Sequence, residues 1–310
     1  MTVFVDPELP ADEVRQALFT GHLIVLTKLR AVSDFVEYTR EQLTELFAPY
    51  DPEHAHEHFD KAEMARILGG WKPRYIHSGV SQALVCEIIK AAGFPAEHTH
   101  YDLPKPRTSF PAGHLTSGVA FAFPWHRDAW YSSPAAQVNW WLPVFPVRED
   151  NSMSFDLQHF DRPVPNSSGS FDYYQNNVGR LATTQQVSGE VQARPGAIDH
   201  DPLHELVVLP SPGAVLLFSG AQLHKSIPNT SGRARYSVDF RTVDVRDVTA
   251  GRGAPLVDVH CTGTSIRDFH SIADGSTLDE QTVVDIFGAP PPDAMLVFGA
   301  ADAERSATSA

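Results

Sequence analysis

The spacing of apolar residues along the first third of the chain predicts helices. Three segments carry apolar residues at helical intervals, namely residues 9–19, 32–47 and 81–92. Gly93 supplies a usual stop signal after the last of them. A short apolar run at residues 22–27 is instead typical of a β-strand. We therefore expect a largely helical N-terminal part over residues 1–114.

Helical periodicity stops near residue 115, and short apolar runs take its place. These runs are separated by Pro, Gly, Asn and Ser and cover residues 137–147, 154–157, 206–209, 214–218 and 236–245. Many short strands divided by turns are typical of a β-sandwich or a barrel. The pattern predicts a β-core over residues 115–248, with a long turn-rich loop near residues 150–205.

No internal repeat and no convincing linker divides the chain, so the prediction is a single domain over residues 1–310. Beyond the β-core, residues 249–300 form a C-terminal extension in which residues 277–287 have helical character. The last residues, 301–310, are small and polar, and we expect them to be disordered.

Composition narrows the possible functions. The formal net charge is −14, which disfavours a nucleic-acid-binding surface and a polyanionic substrate such as a CoA thioester. Only two cysteines are present, Cys86 and Cys261, so no disulfide framework or cysteine-based zinc site is expected. No signal peptide and no apolar window long enough to cross a membrane are recognisable. These features predict a cytoplasmic, soluble protein without a nucleic-acid or membrane partner.

The candidate chemistry begins in residues 121–130, where His126 and Asp128 stand two positions apart in an aromatic frame. An H-x-D triplet arises often by chance, and a histidine in such a run is commonly a hydrogen-bonded core residue. A second segment changes this picture, because residues 213–218 form a turn into a buried strand and His224 follows. Two histidines and one carboxylate are the donor set of the facial triad that holds non-haem Fe(II) with positions left open.

The strand after His224 has strict period-two alternation. Its odd positions from Arg233 to Arg241 are all polar, whereas the even positions between them are apolar. An all-polar face is either exposed to solvent or, in a barrel with a ligand-filled mouth, directed inward. The sequence leaves both alternatives open.

These segments resemble the Fe(II)/2-oxoglutarate dioxygenase superfamily, and in particular its phytanoyl-CoA dioxygenase-like branch. The resemblance implies that His126, Asp128 and His224 are the iron ligands. It also implies that Arg235, eleven residues after the second histidine, pairs with the distal carboxylate of 2-oxoglutarate, and that Ser226 offers this co-substrate a hydroxyl contact. A planar guanidinium suits this task because it can grip a carboxylate with two hydrogen bonds.

The resemblance covers roughly residues 115–245. It implies a mainly β fold with flanking helices, in which a double-stranded β-helix (a jelly-roll or cupin-like core) has the N-terminal helices packed on it. Arg233 and Arg241 lie on the same predicted strand face as Arg235 and are rival candidates for binding the co-substrate carboxylate.

The implied reaction uses Fe(II), 2-oxoglutarate and O₂ to oxidise a C–H bond of a small molecule, as in natural-product biosynthesis. Hydroxylation, desaturation and oxidative ring closure all fit this description. Asp128 argues against halogenation, because halogenating relatives leave that position open for chloride. Trp130, Trp140 and Asn139 are candidates for the substrate pocket. Two alternatives remain open: a catalytically silent jelly-roll that binds a metal or ligand, and an enzyme of the same fold that uses a metal without 2-oxoglutarate.

Two further histidine clusters are weaker metal-site candidates. His54, His56 and His58 alternate with other residues, but their acidic neighbours favour a solvated loop or a helix start. His200 and His204 have helical spacing, but a proline between them makes a helix improbable and a hydrated turn the better interpretation.

Overall fold

The computed structural model describes residues 1–115, 120, 122–177, 194–292 and 294. Phe121 of the aromatic frame, the middle of the predicted long loop at 178–193, and the tail at 301–310 that we expected to be disordered lie outside these residues. Within the described residues, no helix is both long enough and apolar enough to cross a bilayer.

Four helices occupy the N-terminal part, which confirms its predicted helical character. They are α1 (Ala11–Phe19), α2 (Arg30–Phe47), α3 (Lys61–Ile76) and α4 (Gly79–Ala91). The pattern analysis did not predict α3, because Gly69, Gly70 and Pro73 interrupt its sequence. Its N-terminus is capped by Asp60, whose carboxylate accepts a hydrogen bond from the Glu63 amide.

The strands form two sheets. The strands are β1 (Val3–Val5), β2 (Leu23–Leu26), β3 (Thr99–Tyr101), β4 (Lys105–Ser109), β5 (Val138–Pro143), β6 (Met153–Asp156), β7 (Glu205–Val208), β8 (Val215–Ser219), β9 (His224–Ser226), β10 (Arg235–Asp244) and β11 (His270–Ser271). The larger sheet has the order β1-β2-β8-β5-β10-β3-β11, and β4 also pairs with β10. The smaller sheet has the order β7-β6-β9. Apart from the parallel pair β1 and β2, the ladders between these strands are antiparallel.

Two α-helices follow β10 among the described residues. They are α5 (Val245–Thr249) and α6 (Glu280–Phe287), and the second lies within the segment predicted to be helical. The fold is therefore a mixed α and β structure, with two sheets and N-terminal helices.

The two faces of the larger sheet have different roles. On one face, Tyr236, Val238 and Phe240 of β10 join a single apolar core with the buried sides of the N-terminal helices. On the other face, Trp141 of β5 packs with Phe155 of β6 in a second apolar cluster between the sheets. Because cross-strand partners share a face and Asp239 is paired with Trp141, the polar face of β10 points inward, toward the smaller sheet.

Candidate metal centre

The three predicted metal ligands lie close together between the two sheets. His126 and His224 form an isolated antiparallel bridge, in which each backbone amide donates to the carbonyl of the other residue over 2.9 Å. Their ring centroids are 4.2 Å apart. Asp128 opens the 3-10 helix Asp128–Tyr131, and one of its oxygens lies 3.5 Å from His126 Nε2. One ligand atom from each of the three side chains lies within 4.8 Å of the others.

The orientation of both imidazoles is set by backbone carbonyls. His126 Nδ1 lies 2.8 Å from the carbonyl oxygen of Pro124, and His224 Nδ1 lies 2.9 Å from that of Gln222. A carbonyl can only accept a hydrogen bond, so each Nδ1 must carry the proton. In the neutral ring each Nε2 then presents a lone pair, which is the arrangement that fixes the tautomer of a metal-binding histidine.

The charges at the site also suit a divalent cation. Burial, together with the neighbouring His126 imidazole, lowers the pKa of His224 to about 4, so this imidazole is neutral at physiological pH. Burial by itself would raise the pKa of Asp128, but its contact with His126 and the positive charge of Arg241 outweigh this effect and lower the pKa. A metal ion requires this combination of ionised carboxylate and neutral imidazole.

Aromatic rings surround the two histidines. Phe155 stacks on His224 at a centroid distance of 5.8 Å, and Phe218 meets the same ring edge-on at 4.9 Å. Phe123 stacks on His126 at 4.9 Å, and Tyr131 meets that ring edge-on at 5.8 Å. These rings limit the access of water to the metal ligands.

Gln137 is a site residue that the sequence analysis missed. Its amide nitrogen lies 3.4 Å from Asp128 Oδ2 and 2.8 Å from Asn139 Oδ1. Asn139 itself is buried on the inward face of β5, so this predicted pocket residue lies next to the ligands. Gln137, itself hydrogen-bonded to Asn139, thus helps to position the carboxylate of Asp128.

The three candidate arginines occupy different environments. Arg235 is buried, and its Nη1 donates to the carbonyls of Asn151 and Ser152 over 3.2 and 3.1 Å. Its Nε has no hydrogen-bond partner among the described residues. Burial lowers the pKa of Arg235 to about 10, which leaves it charged at neutral pH.

Arg241 and Arg233 already have carboxylate partners. Arg241 lies 3.0 Å from Asp102, and the charges of this aspartate and of Asp128 raise its pKa although burial opposes this. Arg233 is 44% exposed, and its guanidinium is 3.6 Å from Glu53.

The remaining predicted site residues are Ser226, Trp130 and Trp140. Ser226 follows His224 by two positions on β9 and so shares its strand face. Trp130 is completely buried, and its indole donates to Asp258 over 2.8 Å. Trp140 lies on the helix-facing side of β5, stacked on Phe240. The prediction that Trp140 lines the substrate pocket is at odds with this position, because strand residues alternate between faces.

Arg127, which lies between two ligands in sequence, was also missed. Its guanidinium is buried and pairs with Asp258 at 3.1 Å. It also donates to the carbonyls of four residues on two other segments: His159, Phe160, Arg162 and Ala221. Asp258 is 131 positions away, so no local sequence signal could have revealed this network.

The other histidine clusters differ in outcome. The histidines of the first cluster have separate partners: His54 contacts Glu57 at 2.8 Å, and His58 stacks on Tyr50 with centroids 3.8 Å apart. They lie on the 3-10 helix Pro52–Glu57 and at its end, in line with the expected helix start. In the second cluster His204 is exposed, whereas His200 joins Asp156 and His159 in a second group with metal-ligand spacing.

Comparisons with known proteins find distant similarity to solved structures. No family model matches the chain, and no curated protein matches it. Among solved structures, EvdO2 from Micromonospora carbonacea var. aurantiaca is 14% identical with a TM-score of 0.46, over 77% of this chain and 92% of that chain. A second structure of EvdO2 contains 2-oxoglutarate.

Two further matches have lower scores. The epimerase SnoN, in complex with Fe³⁺, alpha-ketoglutarate and nogalamycin RO, is 14% identical with a TM-score of 0.42, over 75% of this chain and 84% of that chain. The non-heme monooxygenase ThoJ is 15% identical with a TM-score of 0.36, over 63% and 72% of the two chains. Similarity this distant assigns no activity, so the function must be inferred from the site itself.

Proposed function

We propose that the chain is a non-haem Fe(II)- and 2-oxoglutarate-dependent oxygenase that oxidises a C–H bond of a small molecule. The observation that carries this proposal is the convergence of His126, Asp128 and His224 in the same inter-sheet space as the buried, incompletely paired guanidinium of Arg235. The finer family assignment is the phytanoyl-CoA dioxygenase-like branch. We interpret the two sheets as the halves of a double-stranded β-helix, and the chain as a single domain.

The donor set fits iron. Two neutral imidazoles and one carboxylate on one side of an ion leave positions open, which is the arrangement of non-haem Fe(II) oxygenases. Both Nε2 atoms are directed by hydrogen bonds from Nδ1 to carbonyls, and Asp128 is held by Gln137. The site therefore needs no rearrangement of its supporting groups to accept the metal.

The environment of Arg235 fits the carboxylate of 2-oxoglutarate. Its Nη1 is used by two backbone carbonyls, but Nε remains a buried donor without a protein partner among the described residues. An unsatisfied buried donor on a cation costs about 1–3 kcal/mol or more, and a carboxylate would relieve this cost. We assign the co-substrate to Arg235 rather than to Arg233 or Arg241, because each rival already has a carboxylate partner.

Each protein group has a defined task in this scheme. Bound Fe(II) and 2-oxoglutarate together would supply the electrons that activate O₂ for attack on the substrate. Arg235 and the Ser226 hydroxyl would orient the co-substrate, while Gln137 keeps Asp128 in place. The aromatic rings of Phe123 and Phe155 would keep water away from the reacting atoms.

Because an aspartate occupies the third ligand position, we expect oxygenation or a related desaturation or ring closure, and not halogenation. Trp130 contributes packing in this scheme, and Asn139 lines the substrate space beside the metal.

The test of this function is O₂-dependent conversion of 2-oxoglutarate to succinate in the absence of a substrate. The wild-type protein with Fe(II) should form succinate slowly, and His126→Ala should form none above the level of Fe(II) in buffer. A silent metal-binding protein would form none in either case, which would overturn the proposal. Substrate oxidation that is unaffected by omitting 2-oxoglutarate would instead favour the metal enzyme without this co-substrate.

A further inference from the structure

A second group of metal-ligating side chains lies on the outer face of the smaller sheet. Phe155 on β6 stacks on His224 between the sheets, so its neighbour Asp156 points to the opposite side. His159 in the following turn and His200, more than forty positions later, both reach this carboxylate. The group is independent of the proposed iron site in its residues and in the face of the sheet that it uses.

The imidazoles converge on a single carboxylate oxygen. Asp156 Oδ2 lies 2.9 Å from His159 Nδ1 and 2.7 Å from His200 Nε2, and one ligand atom from each residue lies within 4.8 Å of the others. The second oxygen, Oδ1, accepts hydrogen bonds from the backbone amides of Gln158 and His159 over 2.6 and 3.1 Å. These amides fix the carboxylate and leave Oδ2 as the atom directed at the two rings.

We propose that Asp156, His159 and His200 bind a divalent transition-metal ion of the zinc class. Two nitrogen donors and one carboxylate oxygen form a donor set typical of zinc sites that keep a fourth position for water. His159 is 29% exposed, so an ion can enter and a water ligand can reach it, whereas Asp156 is fully buried.

Binding requires a small rearrangement with a balanced proton count. Without an ion, His159 Nδ1 and His200 Nε2 each donate to Oδ2. In the bound form each proton moves to the other nitrogen of its own ring, and the freed lone pairs bind the ion without net proton release. With bonds of about 2.0–2.1 Å, tetrahedral ligands lie roughly 3.3 Å apart, so each ring nitrogen must draw back from Oδ2 by about half an ångström.

A metal ion at this position would connect two segments of the chain near the proposed iron site. His200 ends a segment that runs beside the residues around His126, since the Ala197 amide donates to the Trp125 carbonyl over 2.8 Å. The ring of His200 meets Trp125 edge-on at a centroid distance of 5.7 Å. A bound ion would link this segment to the end of β6 and thereby stabilise one side of the proposed iron site.

Co²⁺ is the probe for this site, because it accepts the same ligands as zinc and has a visible spectrum. Chelator-stripped wild-type protein should bind two equivalents of Co²⁺, counted by equilibrium dialysis and absorption. The double variant His126→Ala/His224→Ala should retain one. Adding His200→Ala to it should weaken the remaining binding at least ~10-fold, and Zn²⁺ should displace the bound Co²⁺. Adding His204→Ala, an exposed neighbour, should change nothing.

Two results would overturn the proposal. One is a folded double variant that binds no Co²⁺; the other is binding that His200→Ala and His159→Gln leave unchanged. If the double variant does not fold, as judged by circular dichroism, His159→Gln in the wild-type background must lower the stoichiometry from two to one. A failure of the proposed iron site looks different: the double variant would keep the wild-type stoichiometry while His200→Ala reduces it.

Discussion

In the proposed function, Arg235 is the residue that binds the distal carboxylate of 2-oxoglutarate. We expect Arg235→Lys to raise the KM for 2-oxoglutarate about 10- to 100-fold, because a hydrogen bond to a charged partner contributes about 1.5–3 kcal/mol and lysine cannot reproduce the planar fork. Succinate formation at varied 2-oxoglutarate concentrations measures this effect. Arg233→Lys is the matched control and should change the KM less than about 2-fold, since Arg233 is half-exposed. Equal effects of the two substitutions would contradict the assignment.

His224 should make the metal-free protein less stable as the pH falls. Its pKa is lowered to about 4 in the folded state, against about 6.5 in the unfolded chain, so unfolding takes up a proton between these values. The free energy of unfolding should therefore decline from pH 6.5 toward pH 4, as urea denaturation can measure. In His224→Gln this decline should be shallower, whereas in His204→Gln, at an exposed position, it should match the wild type. An unchanged slope in His224→Gln would refute the buried neutral imidazole.

The sequence identified the three side chains that meet at the candidate metal site, but not the residues that support them. His126, Asp128 and His224 were recognisable because the chemistry demands those residue types in segments with strand and turn signals. Gln137 and Arg127 gave no such signal, because their importance depends on partners that only the folded chain brings near.

At the scale of elements, the alternation along β10 predicted two distinct faces but not which one is inside. Solvent exposure and an inward polar face produce the same sequence pattern. The structure resolves this because the apolar residues Tyr236, Val238 and Phe240 are covered by the N-terminal helices, which leaves the polar side directed at the smaller sheet.

Helix α3 shows a second limit of prediction from the sequence: a helix that forms although its local pattern does not reveal it. Its buried side, with Met64, Leu68, Trp71 and Tyr75, has helical spacing, but two glycines and a proline obscure the pattern. Burial of these four side chains against the rest of the core outweighs the low intrinsic helix propensity, which local sequence alone cannot indicate.

The buried ion pair of Arg127 and Asp258 stabilises the segment that carries His126 and Asp128. Replacing Arg127 with Met leaves an uncompensated buried carboxylate and several carbonyls without a donor, so we expect a loss of about 3–5 kcal/mol in the free energy of unfolding. Urea denaturation of the metal-free protein measures this loss. Arg30→Met is the control, since Arg30 is 92% exposed, and it should cost no more than about 0.5 kcal/mol. A loss of similar size in both variants would show that the buried network does not stabilise this segment.

At the scale of the whole molecule, the fold joins distant parts of the chain at one point. Asp128 and His224 are 224 − 128 = 96 positions apart, and the two sheets bring them together. The sequence predicted this meeting from the donor set and a family resemblance, because spacing within either segment says nothing about the distance between them. The outer cluster of Asp156, His159 and His200 was not predicted for the same reason: its members come from two segments separated by a long stretch of chain.

The most direct test of the proposed iron and 2-oxoglutarate site is anaerobic addition of Fe(II) and 2-oxoglutarate to the metal-free protein, followed by measurement of visible absorption. We predict a charge-transfer band that requires both additions, reaches saturation at one Fe(II) per chain in the His200→Ala background, and is absent in His126→Ala. If no band forms in the wild-type protein, or if His126→Ala forms it equally well, the three residues do not constitute an iron and 2-oxoglutarate site.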